Sequence, residues 1–489
     1  MREEFVMKTA KIHRLLSILL ITGLLAACGE AAPTSSDTTP DSSSAEETTA
    51  LHPLKKADFG GRDVNFYVSD YFSLIHQTEE TGDTVNDAVY RRNRKVEEEY
   101  NVKFQYTVGN GSDLEFAQWY STAEASIMAG DGSIDIIAGY FYRMAINATT
   151  GGHYQNLMEL DAIDFSQPWW IGDLMERSVI GDKLFVTTGN LDPSFYNRIY
   201  AMVFNKELAD SLGIENLYDT VNAGKWTYDK LKSISKIAAR DLNGDSKMDE
   251  SDQYGYITGH TLSIDTFNSA FDIRFVDYDE DGIPYMLPLP EKLVQAVDDL
   301  GTFLMDSGDA LYLKEAYIPA PQYTIFEEGR GLVLATLMRE LQKMRSFELD
   351  FGILPYPKWD EAQEQYYSNV GVGNTTGYCV PVTTDPELAG CILEALAYYG
   401  HTDIYPEYYE RTLKAKGARD DDSAAMLDLI FNNIRYEFTQ IYSLAFGAQK
   451  SPHVVMRYIF QKGGETASTW ASNKQLYDES VQNLVDALK

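Results

Sequence analysis

Residues 64–108, VNFYVSDYFSLIHQTEETGDTVNDAVYRRNRKVEEEYNVKFQYTV, decide the fold class. Residues 64–68 and 102–108 are short runs rich in β-branched and aromatic side chains, which is typical of strands. Between them, residues 81–100 repeat apolar side chains at helical spacing and open with residues that can cap a helix. A strand, a helix and a second strand in this order predict a βαβ unit, and hence an α/β fold around a mostly parallel sheet.

The same alternation continues along the chain. Residues 114–128 predict a helix, residues 133–138 predict a short buried strand, and two further strands at 331–337 and 351–354 are predicted between helices. We find no internal repeat. Roughly 430 residues follow the N-terminal segments, which is too many for a single hydrophobic core, so the sequence predicts two domains or lobes.

The N-terminus has the pattern of a lipoprotein signal. Basic residues precede the apolar run 15–25, which is too short to cross the roughly 30 Å apolar core of a bilayer as a stable helix. This run ends at Leu25-Ala26-Ala27-Cys28, where small residues stand directly before a cysteine. Residues 1–27 are therefore a predicted signal peptide, and Cys28 is the predicted lipidation site, carrying acyl chains such as palmitate. The alternatives are an uncleaved anchor helix and an ordinary secretory signal.

Residues 28–57 are the predicted lipidated cysteine and a disordered tether. Residues 29–50 consist mainly of Ser, Thr, Pro and acidic residues, without a large apolar side chain. Such a composition cannot bury enough surface to offset the entropy of ordering the chain. The expected location is therefore the extracellular face of the cell membrane. The folded body is expected to begin near residue 58 and to be attached to the membrane through the tether and the lipid.

The charge balance restricts the partners. The chain has 41 basic and 74 acidic residues, for a formal net charge of −33. This excess of negative charge disfavours nucleic acid and anionic lipid, so the membrane is expected to hold the protein only through its lipid anchor. The most basic stretch, residues 91–95, lies on the predicted helix 81–100 and is interpreted as a solvated face.

Two cysteines follow in the body of the chain. Cys379 lies in an apolar, strand-like stretch, and Cys391 lies on the apolar stripe of a predicted helix at 386–399. A disulfide is permitted outside the cell, but two buried thiols fit these surroundings better. The redox state of the pair stays open at this point.

One acidic stretch, DLNGDSKMDESD at 241–252, has the spacing of a Ca²⁺-binding loop. Positions 1, 3, 5, 9 and 12 of an EF-hand-like loop carry oxygen side chains, and position 7 offers a backbone carbonyl. Ser246 replaces the glycine expected at position 6, and the last position has Asp in place of Glu. A structural Ca²⁺ is the prediction, with a solvated acidic turn as the alternative. The candidate ligands are Asp241, Asn243, Asp245, Lys247, Asp249 and Asp252.

Several short phrases, in their order along the chain, give a resemblance to a known family. They are PWW at 168–170, FNKEL at 204–208, GKWTYDKL at 224–231, the acidic stretch 241–256, FEEGRGLVLA at 326–335 and FGILPYPKWDEAQEQYYS at 351–368. Together they resemble the family 1 extracellular solute-binding proteins, the lipoprotein receptors of ABC importers, most of which take carbohydrates.

The resemblance implies a fold and a function. The fold would be periplasmic-binding-protein-like, with two α/β lobes that close on a ligand about a hinge. By the resemblance, the first lobe holds residues 58–190 plus 316–356 and the second holds 195–315 plus 366–489. The implied protein is a monomer that captures a carbohydrate, expected to be an oligosaccharide, and delivers it to the permease subunits of an ABC transporter. The hinge crossings would lie at 188–196, 314–319 and 356–366.

Candidate ligand-binding residues come from strand ends and from the segments that the resemblance places beside the cleft. Open α/β sheets bind ligands just past the carboxyl ends of their strands, and aromatic rings suit the C–H faces of sugars. Two adjacent tryptophans in a strand point to opposite faces, so at most one is expected to stack on a ligand, and core packing is the alternative. An arginine after strand 331–337 either hydrogen-bonds sugar hydroxyls or anchors the neighbouring Glu340. The candidates are Tyr71, Phe72, Tyr140, Trp169, Trp170, Asn190, Arg339 and Asn374.

Enzyme signatures are mostly missing from the sequence. The seven histidines include neither H-x-H nor H-E-x-x-H, and we find no G-x-S-x-G motif and no P-loop. A glycosidase needs only two carboxylates, so this chemistry is not excluded. The favoured interpretation is a binding protein without catalytic residues or a catalytic cofactor. The alternatives are a receptor for a peptide or another non-sugar solute, a surface glycosidase and a sensory adaptor.

Overall fold

The computed structural model describes residues 54–259, 261–313, 321–371, 375–409 and 418–489. The predicted signal peptide, Cys28, most of the predicted tether and Asn374 lie outside the described residues. The strands are β1 (Arg62–Ser69), β2 (Val102–Gly109), β3 (Ile136–Tyr140), β4 (Tyr200–Asn205), β5 (Tyr254–Thr258), β6 (Val276–Tyr278), β7 (Pro284–Met286), β8 (Ala310–Tyr312), β9 (Gly331–Leu337), β10 (Phe351–Leu354), β11 (Ser368–Asn369), β12 (Thr376–Cys379) and β13 (Ile434–Arg435).

Helices surround these strands and make up most of the C-terminal part. The α-helices are α1 (Thr84–Tyr100), α2 (Phe116–Ala129), α3 (Phe141–Gly151), α4 (Gly172–Ser178), α5 (Lys206–Ser211), α6 (Leu217–Asn222), α7 (Tyr228–Ala238), α8 (Thr261–Ala270), α9 (Glu291–Met305), α10 (Pro321–Glu327), α11 (Met338–Met344), α12 (Pro386–Tyr399), α13 (Asp421–Asn432), α14 (Phe438–Ile441), α15 (Val455–Lys462) and α16 (Thr466–Asp486). Short 3₁₀ helices lie at Leu157–Glu159, Pro193–Arg198, Ala448–Lys450 and Pro452–Val454, and a π-helical turn follows α12 at Gly400–Ile404.

The βαβ unit predicted at the start of the body is confirmed. Asp83 caps α1 by accepting hydrogen bonds from the backbone N–H groups of Val85 and Asn86, at 3.0 and 2.9 Å. The helix ends at Asn101, whose φ of 49° is left-handed. The strands on either side of it, β1 and β2, pair in parallel over their whole lengths. The α/β class follows from this unit.

Two main sheets divide the molecule. The first has four strands in the order β12-β3-β1-β2, and the second has five in the order β10-β4-β9-β5-β8. In the first sheet β12 alone runs antiparallel, and in the second β4 runs antiparallel to both of its neighbours. Two further pairs, β6 with β7 and β11 with β13, are small. Each main sheet lies in its own α/β lobe.

Sheet membership differs from the predicted lobe boundaries. The resemblance places residues 316–356 in the first lobe, but β9 and β10 within them pair with β4 in the second sheet. The resemblance places residues 366–489 in the second lobe, but β12 within them pairs with β3 in the first sheet. Every strand of the second sheet therefore comes after β3 and before β12 in the sequence. The physical reason is backbone pairing, because β4 lies between β9 and β10 and supplies hydrogen bonds to both.

The first predicted hinge crossing, 188–196, is held by buried polar contacts. The Asp192 carboxylate, fully buried, accepts hydrogen bonds from Ser73 Oγ at 3.0 Å and from Tyr378 Oη at 2.9 Å. The Arg92 guanidinium, also fully buried, donates to the carbonyl of Leu191 at 3.0 Å. The interpretation of residues 91–95 as a solvated face is therefore wrong at Arg92, since its side chain ties α1 to this crossing.

Candidate functional site

Four aromatic side chains meet where the first sheet presents the carboxyl ends of its parallel strands. Tyr71 and Phe72 follow β1 directly, Tyr140 ends β3, and Tyr142 lies in the first turn of α3. Ring centres are 4.2 Å apart for Tyr71 and Phe72, 5.1 Å for Phe72 and Tyr140, and 4.9 Å for Tyr140 and Tyr142. Tyr71 is 46% exposed and gives this group, which we call the aromatic cluster, an accessible face.

Two arginines border the aromatic cluster. Arg143 of α3 donates from Nε and Nη2 to the carboxylate of Asp113 at 3.0 and 2.8 Å, so its charge is balanced. Arg198 comes from the segment that leads into β4 and places its guanidinium carbon 4.7 Å from the centre of the Phe72 ring. The second lobe therefore contacts the aromatic cluster of the first through a cation–π pair.

Arg339 lies at the same end of the β4–β9 pair as Arg198. It follows β9, whose last residue, Leu337, is paired with Tyr200 at the start of β4. Burial, first, and then the charge of Arg339 lower the pKa of Arg198 to about 10, with Tyr140 and Tyr71 also within electrostatic range. Arg339 Nε also donates to Glu340 at 2.8 Å. The predicted residues Tyr71, Phe72 and Tyr140 are thus brought together with Arg198. The predicted Arg339 lies beside Arg198, since the backbone N–H of Met338 donates to the carbonyl of Ile199 at 3.0 Å.

Two buried polar groups lie at the corresponding edge of the second sheet. The Asp265 carboxylate in α8 is an ion-pair partner of Arg457 at 3.4 Å, but neither of its oxygens has a hydrogen-bond partner within the described ranges. Burial raises the pKa of Asp265 to about 7, and Arg457 opposes this shift. Gln322, which is buried in α10, likewise leaves its side-chain oxygen without a hydrogen bond among the residues that are described. Both groups have unused capacity to bind a polar ligand.

The side chain of Gln322 packs closely against the backbone at Gly259. A Cβ atom added at Gly259, directly after β5, would lie 2.7 Å from the side-chain oxygen of Gln322. A side chain at this position would therefore force the Gln322 amide to move. Sequence reasoning missed Asp265, Gln322 and Arg198, and no local motif marks them.

Trp169 and Trp170 do not join the aromatic cluster. They are 1% and 2% exposed, and their indole nitrogens donate to the two carboxylate oxygens of Glu394 at 3.0 and 2.9 Å. Burial raises the pKa of Glu394 to about 7, against the effect of these hydrogen bonds. The expected stacking on a ligand is corrected to core packing, because both rings are enclosed and their polar atoms face the same buried acid.

Asn190 is buried in the hinge crossing. Its side-chain oxygen accepts a hydrogen bond from Tyr196 Oη at 2.5 Å, and its amide nitrogen lies 2.7 Å from Nδ1 of His401. These contacts give Asn190 a structural position between the crossing and the turn that follows α12. The second predicted asparagine, Asn374, lies outside the described residues, as does the hinge crossing at 314–319.

The predicted Ca²⁺ loop is folded by its own acidic side chains. Asp241 accepts hydrogen bonds from the backbone N–H groups of Gly244 and Ser246 at 2.6 and 2.8 Å. The fully buried Asp252 uses both carboxylate oxygens on the N–H groups of Leu242 and Asp249, each at 2.9 Å. Within the described ranges, no group of three or more His, Cys, Asp or Glu side chains is arranged to hold a metal ion. Ca²⁺ binding here stays a prediction.

Cys379 and Cys391 are free thiols in the structure, and both are buried. Burial raises the pKa of each thiol, and for Cys391 it reaches about 11. Such thiols stay protonated at neutral pH and are poor nucleophiles. The arrangement agrees with the buried-thiol alternative.

No protein-family model matches the sequence, and no curated protein matches it significantly. Solved structures do match. A cyclic alpha-maltosyl-1,6-maltose binding protein from Arthrobacter globiformis aligns with a TM-score of 0.54 at 16% identity, over 87% of this chain and 100% of that one. A maltose/maltodextrin-binding domain from Bdellovibrio bacteriovorus, bound to maltotriose, aligns with a TM-score of 0.52 at 16% identity, over 86% and 100%.

A third structure, a sugar transporter protein from Rhizobium etli in an open conformation, aligns with a TM-score of 0.53 at 15% identity, over 87% of this chain and 98% of that one. Identities this low establish the fold alone. The two-sheet architecture and these alignments indicate the same fold. The chain has a two-lobed, periplasmic-binding-protein-like α/β fold, similar to that of these sugar-binding proteins.

Proposed function

We propose that the protein is a lipid-anchored extracellular solute-binding protein that captures a carbohydrate, an oligosaccharide, and delivers it to the permease subunits of an ABC transporter. The observation that carries this proposal is the aromatic cluster of the first lobe, which faces Arg198 and Arg339 of the second. Sugar C–H faces pack on aromatic rings, and sugar hydroxyls need polar partners. Closing two lobes on a sugar would supply both kinds of contact at once.

The polar groups of the second lobe support a hydroxyl-rich ligand. Asp265 and Gln322 hold buried oxygens that lack hydrogen bonds within the described ranges. Buried acceptors of this kind cost free energy until a donor reaches them, and a sugar hydroxyl is such a donor. Matched structures are described as complexes with maltotriose, maltotetraose and cycloalternan, which supports an oligosaccharide as the ligand class.

The proposed location and partners rest on the sequence. Cys28 would carry the lipid, the tether would span the distance to the folded body, and the protein would act as a monomer on the extracellular face of the cell membrane. Among the described residues, no helix combines the length and apolar character needed to cross a bilayer. We further propose that the loop 241–252 takes a Ca²⁺ with a structural role, away from the aromatic cluster.

A thermal-shift screen of the mature protein against neutral and charged oligosaccharides tests the function. A ligand at about 100 times its dissociation constant stabilises the folded state by about 2.7 kcal/mol, which is a readily measured shift. Binding of a saccharide without turnover, followed by chromatography of the recovered sugar, would support a receptor. Cleavage of the sugar would favour a glycosidase, and stabilisation by peptides alone would reject carbohydrate binding.

A further inference from the structure

The charges beside the aromatic cluster set a further condition on the ligand. Arg198 makes no ion pair and no hydrogen bond to a carboxylate in the part of the chain that is described, and its buried Nε has no hydrogen-bond partner there. It is half-buried and is stacked against Phe72. Guanidinium groups in such positions are normally paired.

The neighbouring charges do not compensate Arg198. Arg339 is within electrostatic range and repels it. Glu340 lies next to Arg339, but its oxygens are already shared by Arg339 at 2.8 Å and Lys343 at 2.9 Å. Two cations, Arg339 and Lys343, thus share the Glu340 carboxylate, and Arg198 makes no ion pair with it. Asp265 acts electrostatically on Tyr200, two residues after Arg198, but it is already paired with Arg457.

Arg143 provides the internal comparison. It borders the same aromatic cluster, and Asp113 balances it with two hydrogen bonds to one carboxylate oxygen. A neutral saccharide would need no uncompensated cation, since hydroxyls are bound equally well by arginines whose charge is balanced. An anion placed between Arg198 and Arg339 would remove their repulsion and pair a guanidinium that no described acid reaches.

Resting on the proposed function, we infer that the saccharide bound between the lobes is anionic, and that Arg198 and Arg339 bind its carboxylate or sulfate group together. The planar fork of arginine donates two parallel hydrogen bonds to either group. The aromatic cluster contacts the sugar ring that carries the anion. Arg143, already neutralised by Asp113, contributes no net charge to this recognition.

Calorimetry of the mature protein with three probes tests the inference. The probes are trigalacturonate, which carries carboxylates; a κ-carrageenan oligosaccharide, which carries sulfate and no carboxylate; and maltotriose, which is neutral. We expect one of the anionic probes to bind at least tenfold more tightly than maltotriose, with an affinity that falls as salt is raised. Which anionic probe binds identifies the charged group.

Variants assign that preference to the arginines. Arg198→Gln is expected to weaken binding of the anionic probe about tenfold or more, because a charge-assisted hydrogen bond is lost. Arg345→Gln is the matched control, since this arginine is exposed on the same lobe. Arg339→Gln gives a second test if Arg198→Gln fails to fold, because Lys343 still pairs with Glu340 in its absence.

The outcomes separate the two proposals. Tight binding of maltotriose with no binding of either anionic probe would overturn the inference and leave the sugar receptor standing. Anionic binding that Arg198→Gln and Arg339→Gln reduce no more than Arg345→Gln would also overturn it. If no saccharide binds, the proposed function fails, and the inference fails with it.

Discussion

The Trp169 indole N–H donates to the Glu394 carboxylate at 3.0 Å, from a side chain that is only 1% exposed. We therefore expect Trp169→Ala to lower the free energy of unfolding by about 3–5 kcal/mol, as for other buried tryptophans, and to leave saccharide affinity nearly unchanged. Denaturant unfolding and calorimetry measure the two effects. Trp226→Ala, at a fully buried tryptophan of the second lobe, is the control. An affinity loss confined to the Trp169 variant would contradict the packing role.

Tyr71, unlike Trp169, is exposed and belongs to the aromatic cluster. Tyr71→Ala is expected to weaken saccharide binding roughly tenfold or more, since both ring contact and apolar area are lost, with little change in stability. Tyr285→Ala is a matched control, because Tyr285 is also 46% exposed but lies in the small β6–β7 hairpin. Equal affinities of the two variants would show that the aromatic cluster does not contact the ligand.

Glu394 gives the stability a pH dependence. Its pKa is raised from 4.5 to about 7 by burial, so the folded protein holds a proton that the unfolded chain releases. The contribution of Glu394 to stability is therefore greatest below about pH 4.5 and decreases as the pH rises toward 7. Unfolding measurements across this window should show a steeper fall for the parent than for Glu394→Gln. If stability falls equally with pH in the two proteins, Glu394 is not the source of the pH dependence.

Ca²⁺ is expected to stiffen the loop 241–252 without forming part of the saccharide site. Chelation should lower the melting temperature and leave saccharide affinity intact, because the loop supplies no residue to the aromatic cluster. Calorimetry with CaCl₂ measures uptake directly. A lack of uptake, or equal uptake by the Asp241→Ala/Asp245→Ala double variant, would mean that the loop is a solvated acidic turn.

Cys28→Ala tests the lipid anchor. The variant is expected to accumulate as uncleaved precursor or to be released from the membrane, because the acceptor of the acyl chains is gone. Fractionation and the apparent size of the protein report both effects. Mature-sized protein that stays in the membrane fraction as the parent does would reject the lipoprotein signal.

The fold class and one wall of the site were predictable because local patterns encode them. The strand-helix-strand alternation at 64–108 specifies the first sheet, and the rule about strand ends locates Tyr71, Phe72 and Tyr140. Tyr71 and Phe72 come shortly after β1 and Tyr140 is the last residue of β3, so their position depends on short-range geometry. For this reason the sequence alone was enough to predict that Tyr71, Phe72 and Tyr140 lie near one another.

The remaining features depend on contacts between distant residues. Strand alternation predicts opposite faces for Trp169 and Trp170, but their segment is not one of the strands. Both indoles donate to Glu394, which is far along the chain. Arg92 looked solvated because its partner carbonyls, at Leu191 and Leu396, come from other elements. Asp265 carries no local signal, because its missing hydrogen bonds appear only after packing.

The pairing of β3 with β12 has a consequence for synthesis and export. Tyr140 and Thr376 are partners although more than two hundred residues separate them. During translation, β3 is an open sheet edge until the whole second sheet has been made, and open edges favour aggregation. The first sheet is therefore complete only after β12 has been made. The late completion of this sheet would suit the proposed export, because the chain could cross a membrane before the first lobe is complete.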